Sequence, residues 1–456
     1  MNRALLTMPA TEVAALIRSR ELAARDYLDS LRARIEEREP LLKAWETLDL
    51  EGAYRQAEAL DKEAASGKLR GPLHGIPIAA KDVFCADGLP ARGGLAALHD
   101  YVPDFDATAV ARLRRAGAIV VGKTATTQLA YVDPAPTRNP WNLEHTPGGS
   151  SSGSAAAVAD GMVPAALGTQ TAASTLRPAA FCGLVGLKAT YGRIGRKGMF
   201  LLAPTLDHVG LIVRTVSDAA LFLSAMAGKE EGDPTASGRP VGEYLSAIAN
   251  PSPPRIGFLR GLFQERTQPE TWARLEQSVE KLRASGAIVE EVPLPADFPL
   301  ILDAHQVILV SEAGVSHFDT FRRHPDDFRP QAQVLMETSQ LVPATAYLRA
   351  LQIRRYLQGG LGALFNGYDL LLTAVATGPA PRGLEWTGDP VCAIPWTFLG
   401  LPALALPMGL GSQGLPLGLQ LIAPAWQEER LLAGARWCEM ALAATPDLLA
   451  QEAHPA

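Results

Sequence analysis

Two stretches of the chain share one order of segments, and that order restricts the fold class more than any other feature. In the first, an apolar segment punctuated by Gly and Pro, GPLHGIPIAAKD (71–82), is followed by a helical pattern that Gly117 closes and by the strand-like AIVV (118–121). In the second, RIGFL (255–259), a helical pattern with apolar residues from Trp272 to Leu282, and AIVEEV (287–292) repeat the order. Strand–helix–strand units place their strands in parallel and cover the sheet with helices. The sequence therefore predicts an α/β fold with a largely parallel, twisted sheet flanked by helices.

Three other regions indicate how the chain is organised around this sheet. Residues 11–38 place apolar side chains at three- to five-residue intervals among Arg and Glu, which is typical of surface helices that pack on a core. The segment 228–254 is rich in Gly, Pro and charge and predicts a surface excursion, not a domain boundary. Residues 390–427 contain no Asp, Glu, Lys or Arg but six prolines and five glycines. That composition predicts buried strands and tight turns, because the prolines and glycines would break a membrane helix.

Charge and cysteine usage exclude several classes of function. Lys plus Arg number 42 against 48 Asp plus Glu, so the net charge of -6 gives no general attraction for nucleic acid or an anionic membrane. The four cysteines (Cys85, Cys182, Cys392 and Cys438) lie far apart without a C-x-x-C pair, which argues against a zinc ribbon or a disulfide scaffold. The N-terminal residues show no apolar run typical of a signal peptide. We therefore expect a cytoplasmic protein that acts on a small molecule, with no nucleic-acid or membrane partner.

One motif matches a phosphate-binding loop only by its letters. Residues 117–124, GAIVVGKT, satisfy G-x-x-x-x-G-K-[ST]. A phosphate loop follows a strand and opens a helix, whereas here a helical pattern precedes Gly117 and AIVV itself favours a strand. We therefore interpret the segment as a strand that enters a loop, with Lys123 at the strand end.

A second motif, GSSSG (149–153), matches the nucleophile elbow G-x-S-x-G, with Ser151 as the nucleophile. An elbow needs an apolar strand directly before it, but NPWNLEHTP (139–147) is polar and broken by proline. The triad would also need a later histidine such as His305, His317 or His324, in segments where a solvated or capping histidine is more common. The elbow stays a minor alternative.

A third set of residues combines two Ser-rich loops with a lysine. The loops, 148–154 and 168–183, flank a short Ala-rich helical segment (155–159), and Lys81 ends the apolar strand IPIAA (76–80). Each part alone has an ordinary explanation as a turn, a loop or a surface lysine. A lysine carried into a poorly solvated place is driven toward its neutral form, which makes it a usable general base near neutral pH.

These segments, taken together, strongly resemble the amidase signature family, serine hydrolases that use a Ser-cisSer-Lys triad. The similar segments are GIPIAAKD (75–82), 106–124, 136–159, 177–193, TLDHVG (205–210) and GLPLGLQLIAP (414–424). The chain is most similar to the small bacterial amidase branch, which has Gln before the nucleophile and an Arg three positions after it. The resemblance implies a mixed, largely parallel central sheet and a single amidase domain over 1–456. Its parts would be an N-terminal helical cover (1–65), a signature core (70–215), a variable substrate-side region (216–365) and a C-terminal return to the core (366–445).

The resemblance also implies a role for individual residues. Ser174 corresponds to the nucleophile, Ser150 to the bridging serine of the cis peptide, and Lys81 to the base. The backbone N–H groups of the oxyanion hole would be those of Thr171, Ala172, Ala173 and Ser174. No cofactor or metal is implied.

Two departures from the family pattern concern the oxyanion loop and the substrate pocket. Most relatives have Gly-Gly or Ala-Gly before the nucleophile, whereas this chain has Ala172-Ala173, and a Cβ at residue 173 restricts φ. Relatives often have a polar residue where this chain has Ala393, which predicts a rather apolar pocket. The expected substrate-binding residues are Arg177, Met199, Phe200, Leu201, Ala393, Ile394 and Phe398. For Arg177 two roles stay open: recognition of a substrate carboxylate, or support of the loop through backbone carbonyls.

The sequence thus predicts a hydrolase that cleaves C–N bonds of small, rather apolar amides, anilides or carbamates through an acyl-enzyme, with a homodimer possible. One alternative is the A-type subunit of an aminoacyl-tRNA amidotransferase, although that branch normally has Asp at the position of Gln170 and Gly-Gly at 172–173. Another is a catalytically impaired binding homologue, which the Ala-Ala pair suggests and the intact Lys81, Ser150 and Ser174 set opposes.

Overall fold

A single eleven-stranded sheet runs through the computed structural model, which describes residues 3–449. Its strand order is β1-β3-β2-β4-β6-β5-β10-β11-β9-β7-β8. The strands are β1 (Trp45–Leu48), β2 (Pro77–Lys81), β3 (Ile119–Thr124), β4 (Ala165–Gln170), β5 (Val185–Lys188), β6 (His208–Val213), β7 (Arg255–Leu259), β8 (Ile288–Val292), β9 (Leu370–Ala374), β10 (Ala403–Leu410) and β11 (Pro416–Ile422).

Helices flank this sheet, as the strand–helix–strand pattern predicts, so the α/β class is confirmed. Within residues 3–449 the α-helices are α1 (Arg3–Thr7), α2 (Ala10–Ser19), α3 (Ala24–Leu42), α4 (Leu50–Ala65), α5 (Thr108–Arg115), α6 (Ser152–Ala159), α7 (Leu176–Phe181), α8 (Val216–Met226), α9 (Tyr244–Ala247), α10 (Leu262–Arg266), α11 (Pro269–Ala284), α12 (Leu300–Arg323), α13 (Pro330–Ser339), α14 (Ala344–Gly360), α15 (Ile394–Phe398) and α16 (Glu428–Leu442).

The sheet is mixed, but the expectation that it is largely parallel is wrong. Parallel pairing is confined to two groups of three strands, β3-β2-β4 and β9-β7-β8. The strands between these groups, together with β1 at the edge, pair antiparallel. Each strand–helix–strand unit predicts that its own two strands are parallel. It does not predict how the strands between the two units pair, because that pairing depends on contacts between residues distant in sequence.

Two predicted regions contain elements that the sequence pattern did not reveal. The N-terminal cover is helical in α1 to α4, but β1 lies between α3 and α4 and pairs with β3, with Trp45 opposite Thr124. The charge-free region 390–427 forms the strands β10 and β11, as predicted, and also the short helix α15. The excursion 228–254 carries α9 and no strand.

The group β3-β2-β4 determines where a functional site can form. Because its strands are parallel, their carboxyl ends meet at one edge of the sheet. Lys81 is the last residue of β2, and Gln170 is the last residue of β4. The loops that follow β3 and β4 therefore gather where Lys81 ends its strand.

The part of the chain that the structure describes contains no helix long and apolar enough to cross a membrane. Across the same residues no group of three or more His, Cys, Asp or Glu side chains is placed to hold a metal ion. The four cysteines are all free and buried.

Candidate active site

Lys81 is fully buried at the end of β2, with hydroxyl groups as its hydrogen-bonding partners. Its Nζ lies 2.6 Å from Ser150 Oγ and 2.7 Å from Thr169 Oγ1. Burial lowers the pKa of Lys81 to about 7, and the nearby charge of Asp207 opposes that shift. A large fraction of the lysine is therefore neutral at physiological pH and able to accept a proton from Ser150.

The loop that carries Ser150 contains a cis peptide bond between Gly149 and Ser150. Arg177 holds this loop, because its guanidinium donates to Gly149 O at 2.8 Å and to Thr387 Oγ1 at 3.0 Å. The same side chain also donates to Gly388 O. Burial lowers the pKa of Arg177 to about 10, so it stays charged at neutral pH. Arg177 thus joins the Ser150 loop to the segment around residue 388.

Ser174 lies in the loop after β4, at the surface of a cavity. Ser151 N donates to Ser174 O at 3.3 Å, which joins this loop to the one that contains Ser150. Within residues 3–449 no hydrogen bond uses the N–H groups of Ala172, Ala173 and Ser174. The three residues line the cavity beside Ser174, so the prediction that their N–H groups form an oxyanion hole stays open to test.

The Ala172-Ala173 pair fits this loop without an unusual backbone conformation. Neither residue is among those with positive φ, so the Cβ atoms do not oppose the fold of the loop. Thr397 Oγ1 donates to Ala172 O at 2.7 Å. The departure from the Gly-rich family pattern is therefore compatible with a loop that presents N–H groups to the cavity.

Gln170 connects both ends of the same loop. Its Oε1 accepts hydrogen bonds from Thr175 N and Leu176 N, both at 3.0 Å, and its Nε2 donates to Thr397 Oγ1 at 3.0 Å. An Asp could accept the two backbone bonds, but it could not donate to Thr397. The amide of Gln170 is thus suited to both partners.

Paired glycines bring the Ser174 loop close to the sheet. Gly168 of β4 lies opposite Gly210 of β6. A Cβ on Gly210 would come within 1.9 Å of Thr175 Oγ1, and a Cβ on Gly168 within 2.8 Å of Ser151 Oγ. The absence of side chains at this pair forms a notch in the sheet that receives both Ser-containing loops.

Asp207 is buried between the Ser174 loop and the segment after residue 200. Its carboxylate accepts from Thr171 Oγ1 at 2.5 Å and from Leu202 N and Ala203 N at 2.7 and 3.0 Å. Burial raises the pKa of Asp207 to about 6, while these hydrogen bonds and the charge of Arg196 oppose the rise. Asp207 therefore fixes the start of the loop that carries Ser174.

The cavity beside Ser174 has a volume of about 140 Å³ and a mostly apolar wall. All four predicted oxyanion residues line it, from Thr171 to Ser174. The apolar lining residues are Ala130, Tyr131, Val132, Leu202, Leu309, Trp386, Pro390 and Ile394.

Two of the seven predicted substrate-binding residues, Arg177 and Ile394, belong to this lining. The structure places the other five elsewhere, and Leu202 takes the position at the wall that the sequence suggested for Leu201. Ala393 and Phe398 are fully buried in the core, Met199 pairs with Phe84, and Phe200 contacts Tyr101.

The residues of the two other motifs have structural partners. Ser151 precedes α6, and its Oγ accepts from Thr169 N at 3.2 Å. Lys123 lies within β3 and forms an ion pair of 3.0 Å with Asp82. His305 bonds to the carbonyl of Thr171. The phosphate-loop and elbow patterns therefore have ordinary roles in packing.

Comparison with known proteins identifies the family of this chain. The model of the Amidase family matches residues 26–432, almost the whole chain. The chain belongs to the Amidase family. The family resemblance inferred from the motifs is confirmed.

The relatives and solved structures that are similar to this chain match most of its length. The A-type subunit of glutamyl-tRNA(Gln) amidotransferase from Roseiflexus sp. (strain RS-1) is 38% identical, with 92% of this chain and 93% of the relative covered. One similar solved structure is a chain from a vestigial protein complex that is described as revealing the evolutionary origins of an s-triazine catabolic enzyme. Its TM-score is 0.90 at 31% sequence identity, and the match covers 96% of this chain and 100% of that chain. The native peptide amidase from Stenotrophomonas maltophilia has a TM-score of 0.83 at 29% sequence identity, and the match covers 96% of this chain and 98% of that chain. The amidase fold is thus shared by proteins with different described activities.

Several residues of this site carried no sequence signal strong enough to assign them. Thr169, Gln170 and Asp207 lie in or beside segments that resemble the family, but only the structure shows their partners. Thr397 and His305 reach the Ser174 loop from regions more than 130 residues further along the chain.

Proposed function

We propose that this protein is an amidohydrolase that cleaves C–N bonds of small, rather apolar amides, anilides or carbamates. The observation that carries the proposal is the buried Lys81 with its Nζ 2.6 Å from Ser150 Oγ, beside a loop whose residues from Thr171 to Ser174 line a mostly apolar cavity. In this proposal Lys81 is the base, Ser150 transfers the proton and Ser174 is the nucleophile. The family shown by the comparisons makes hydrolysis the reaction expected of this set.

In the proposed mechanism, neutral Lys81 accepts a proton from Ser150 as Ser150 accepts one from Ser174. The Ser174 oxygen then attacks the carbonyl carbon, and the N–H groups of residues 172–174 stabilise the oxyanion. The C–N bond breaks as the proton returns through Ser150 to the leaving nitrogen. Water hydrolyses the acyl-enzyme and releases the carboxylic acid or, from a carbamate, an alkyl carbonic acid that decomposes to the alcohol and carbon dioxide.

The proposal is tested by labelling with phenylmethylsulfonyl fluoride, in which the serine oxygen displaces fluoride, followed by peptide mass mapping. We expect the label on Ser174 and complete loss of labelling and hydrolysis in Ser174→Ala, with unchanged thermal stability because the side chain is small. The matched control is Ser151→Ala, which should keep the label on Ser174. A label on Ser151 in the wild-type protein would favour the elbow mechanism and contradict the proposal.

A panel of anilides, carbamates, ureas and esters then defines the substrate class. We expect small apolar acyl groups to be preferred over charged ones, because most of the cavity wall is apolar.

A second candidate function, the A-type subunit of an amidotransferase, is favoured by the 38% identity over 92% of the chain. Co-purification of a stoichiometric partner subunit, together with glutamine hydrolysis that depends on it, would support this candidate. Hydrolysis of apolar anilides by the chain alone would support the amidohydrolase instead.

A further inference from the structure

Trp386 lies at the wall of the cavity beside Ser174, and it is the only one of the seven tryptophans that is more than half exposed. Its exposed fraction is 55%. Among residues 3–449 no aromatic ring or guanidinium stacks on its indole. An indole in water leaves a large apolar surface unburied, and its face pairs favourably with another flat ring. The side chain is therefore placed to bind a flat apolar part of a substrate.

Trp386 belongs to a segment that is fastened to the loop of Ser150. Arg177 donates to Gly149 O at 2.8 Å and to Thr387 Oγ1 at 3.0 Å, which joins the residue before Ser150 to the residue after Trp386. A Cβ on Gly149 would come within 2.7 Å of Thr387 Cγ2, so the two segments are in direct contact. The wall formed by Trp386 is therefore on the side of the cavity where Ser150 lies.

Val132 forms a second exposed apolar wall on the same side. Thr127 N donates to Ser150 O at 3.3 Å, and Thr127 Oγ1 donates to Tyr131 O at 2.8 Å. Val132 follows Tyr131 directly, lines the cavity and is 39% exposed. The side of the cavity near Ser150 is thus its exposed apolar side.

Leu202 and Leu309, in contrast, belong to a wall at the start of the oxyanion loop. Leu202 N and Thr171 Oγ1 both donate to the carboxylate of Asp207. His305 bonds to Thr171 O, and Leu309 follows one turn later on α12. Both leucines are buried. This wall is therefore attached to Thr171.

The two walls receive different parts of a substrate. In the proposed mechanism the leaving nitrogen takes its proton from Ser150, so the group on that nitrogen points toward the side where Ser150 lies. The acyl group takes another direction, because the substituents of a carbonyl carbon diverge. We propose that Trp386 and Val132 bind the leaving group, with an aromatic amine preferred, and that Leu202 and Leu309 contact the acyl group. The inference rests on the proposed hydrolase function and deepens it, since it names anilides and N-aryl carbamates as the favoured substrates.

The experiment measures kcat/KM for acetamide, acetanilide and butyranilide. The first two share their acyl group and differ in the leaving group, whereas the last two share aniline and differ in the acyl group. In Trp386→Ala we expect the acetanilide-to-acetamide ratio to fall about tenfold or more, because the aniline ring loses its stacking surface. The butyranilide-to-acetanilide ratio should change less than about threefold. An unchanged acetanilide-to-acetamide ratio, or a larger change in the acyl ratio, would overturn the proposal.

Three further variants sharpen this comparison. Trp386→Phe keeps an aromatic ring and should retain most of the preference for acetanilide. Leu309→Ala should change the acyl ratio more than the leaving-group ratio, and the reverse would contradict the assignment of the two walls. The matched control is Tyr356→Ala, because Tyr356 is an aromatic residue of α14 that is 68% exposed and does not line the cavity. Both of its ratios should equal those of the wild type, and a fall like that of Trp386→Ala would overturn the proposal.

Acyl transfer to an amine tests the same wall without an amide substrate. Phenyl acetate acetylates Ser174 and releases phenol, and either water or added aniline then attacks the acetyl carbonyl. With aniline the C–N bond forms, the bond to Ser174 Oγ breaks, and one N–H proton passes through Ser150 to Ser174 Oγ. In Trp386→Ala we expect the ratio of acetanilide to acetate to fall about tenfold. The same ratio in variant and wild type, or no transfer to aniline by the wild type, would overturn the proposal.

Sulfonyl labelling keeps this inference apart from the proposed function. If Ser174 is labelled and Trp386→Ala changes neither the leaving-group ratio nor the transfer ratio, only the inference about Trp386 fails. Absence of labelling and hydrolysis in the folded wild-type protein contradicts the proposed function itself.

Discussion

Lys81 and Lys123 are buried lysines on neighbouring strands, and their surroundings differ in one respect. Lys123 forms an ion pair with Asp82 at 3.0 Å, whereas Nζ of Lys81 contacts the hydroxyls of Ser150 and Thr169. Burial lowers the pKa of both amines, and Asp82 opposes that shift at Lys123. The ion-paired lysine has a structural role, and the other is available for proton transfer.

Lys81→Met should abolish hydrolysis and raise thermal stability at pH 7. In the unfolded chain a lysine titrates near its ordinary pKa of about 10.4, whereas in the folded protein burial lowers the pKa of Lys81 to about 7. Between these values the unfolded chain binds more protons, so wild-type stability rises with pH. The advantage of Lys81→Met should therefore shrink between pH 7 and pH 10, measured as the difference in Tm.

The matched control is Lys123→Met. This change leaves Asp82 buried without its partner and should destabilise the protein at pH 7, by roughly 3–5 kcal/mol. A stability difference between Lys81→Met and the wild type that does not vary with pH would show that Lys81 is charged in the folded protein.

Arg177→Leu should lower kcat for acidic and neutral substrates alike and should also lower Tm. The change removes the donor from Gly149 O and Gly388 O, and each buried carbonyl left unpaired costs about 1–3 kcal/mol. Steady-state kinetics and thermal denaturation measure the two effects. Arg382→Leu is the control, because Arg382 is exposed and pairs with the exposed Glu144 at 3.0 Å. An increase in KM for carboxylated substrates alone would instead assign Arg177 to substrate recognition.

At the scale of the elements, helix α6 lies unusually close to the backbone beside it. A Cβ on Gly153 would come within 2.1 Å of Ala44 O and 2.6 Å of Ala125 N. These are backbone atoms, which cannot rotate away as a flexible side chain does. The contact explains why a glycine follows the Ser-rich run at the start of this helix.

Gly153→Ala should therefore destabilise the protein, by about 1–3 kcal/mol, and should lower kcat because α6 directly follows the Ser150 loop. Thermal denaturation followed by circular dichroism measures the first effect. Gly359→Ala in α14 is the control, since nothing lies within 4 Å of its added Cβ and the change should be neutral or stabilising by up to about 1 kcal/mol. If both variants have the same stability, the close contact of α6 is not a constraint.

At the scale of the whole molecule, the sequence predicted the features that depend on local patterns. Periodic apolar residues between Gly and Pro residues predict seven elements: the strands β2, β3, β7 and β8 and the helices α5, α6 and α11. The strand β1 was missed because it is only four residues long. The antiparallel middle of the sheet was missed because strands such as β5 and β10 pair across more than 200 residues.

The candidate site was also predictable only where its residues lie in local sequence motifs. Lys81 and Ser150 lie in segments that resemble the family, Ser174 lies in the loop between two of them, and the structure places Lys81 in contact with Ser150. Much of the apolar wall was not predictable, because residues such as Leu309 and Trp386 come from regions without a motif. The catalytic roles of the three residues stay predictions that the labelling experiment tests.

The walls of the cavity and the groups beneath them come from different parts of the chain. Lys81, Ser150 and Ser174 lie on the sheet and its adjoining loops, whereas Gln306, Leu309 and Trp386 lie on α12 and on the segment before α15. Because these wall positions lie outside the strands and loops that carry the three catalytic candidates, we expect substitutions there to alter the range of accepted substrates more than the labelling of Ser174.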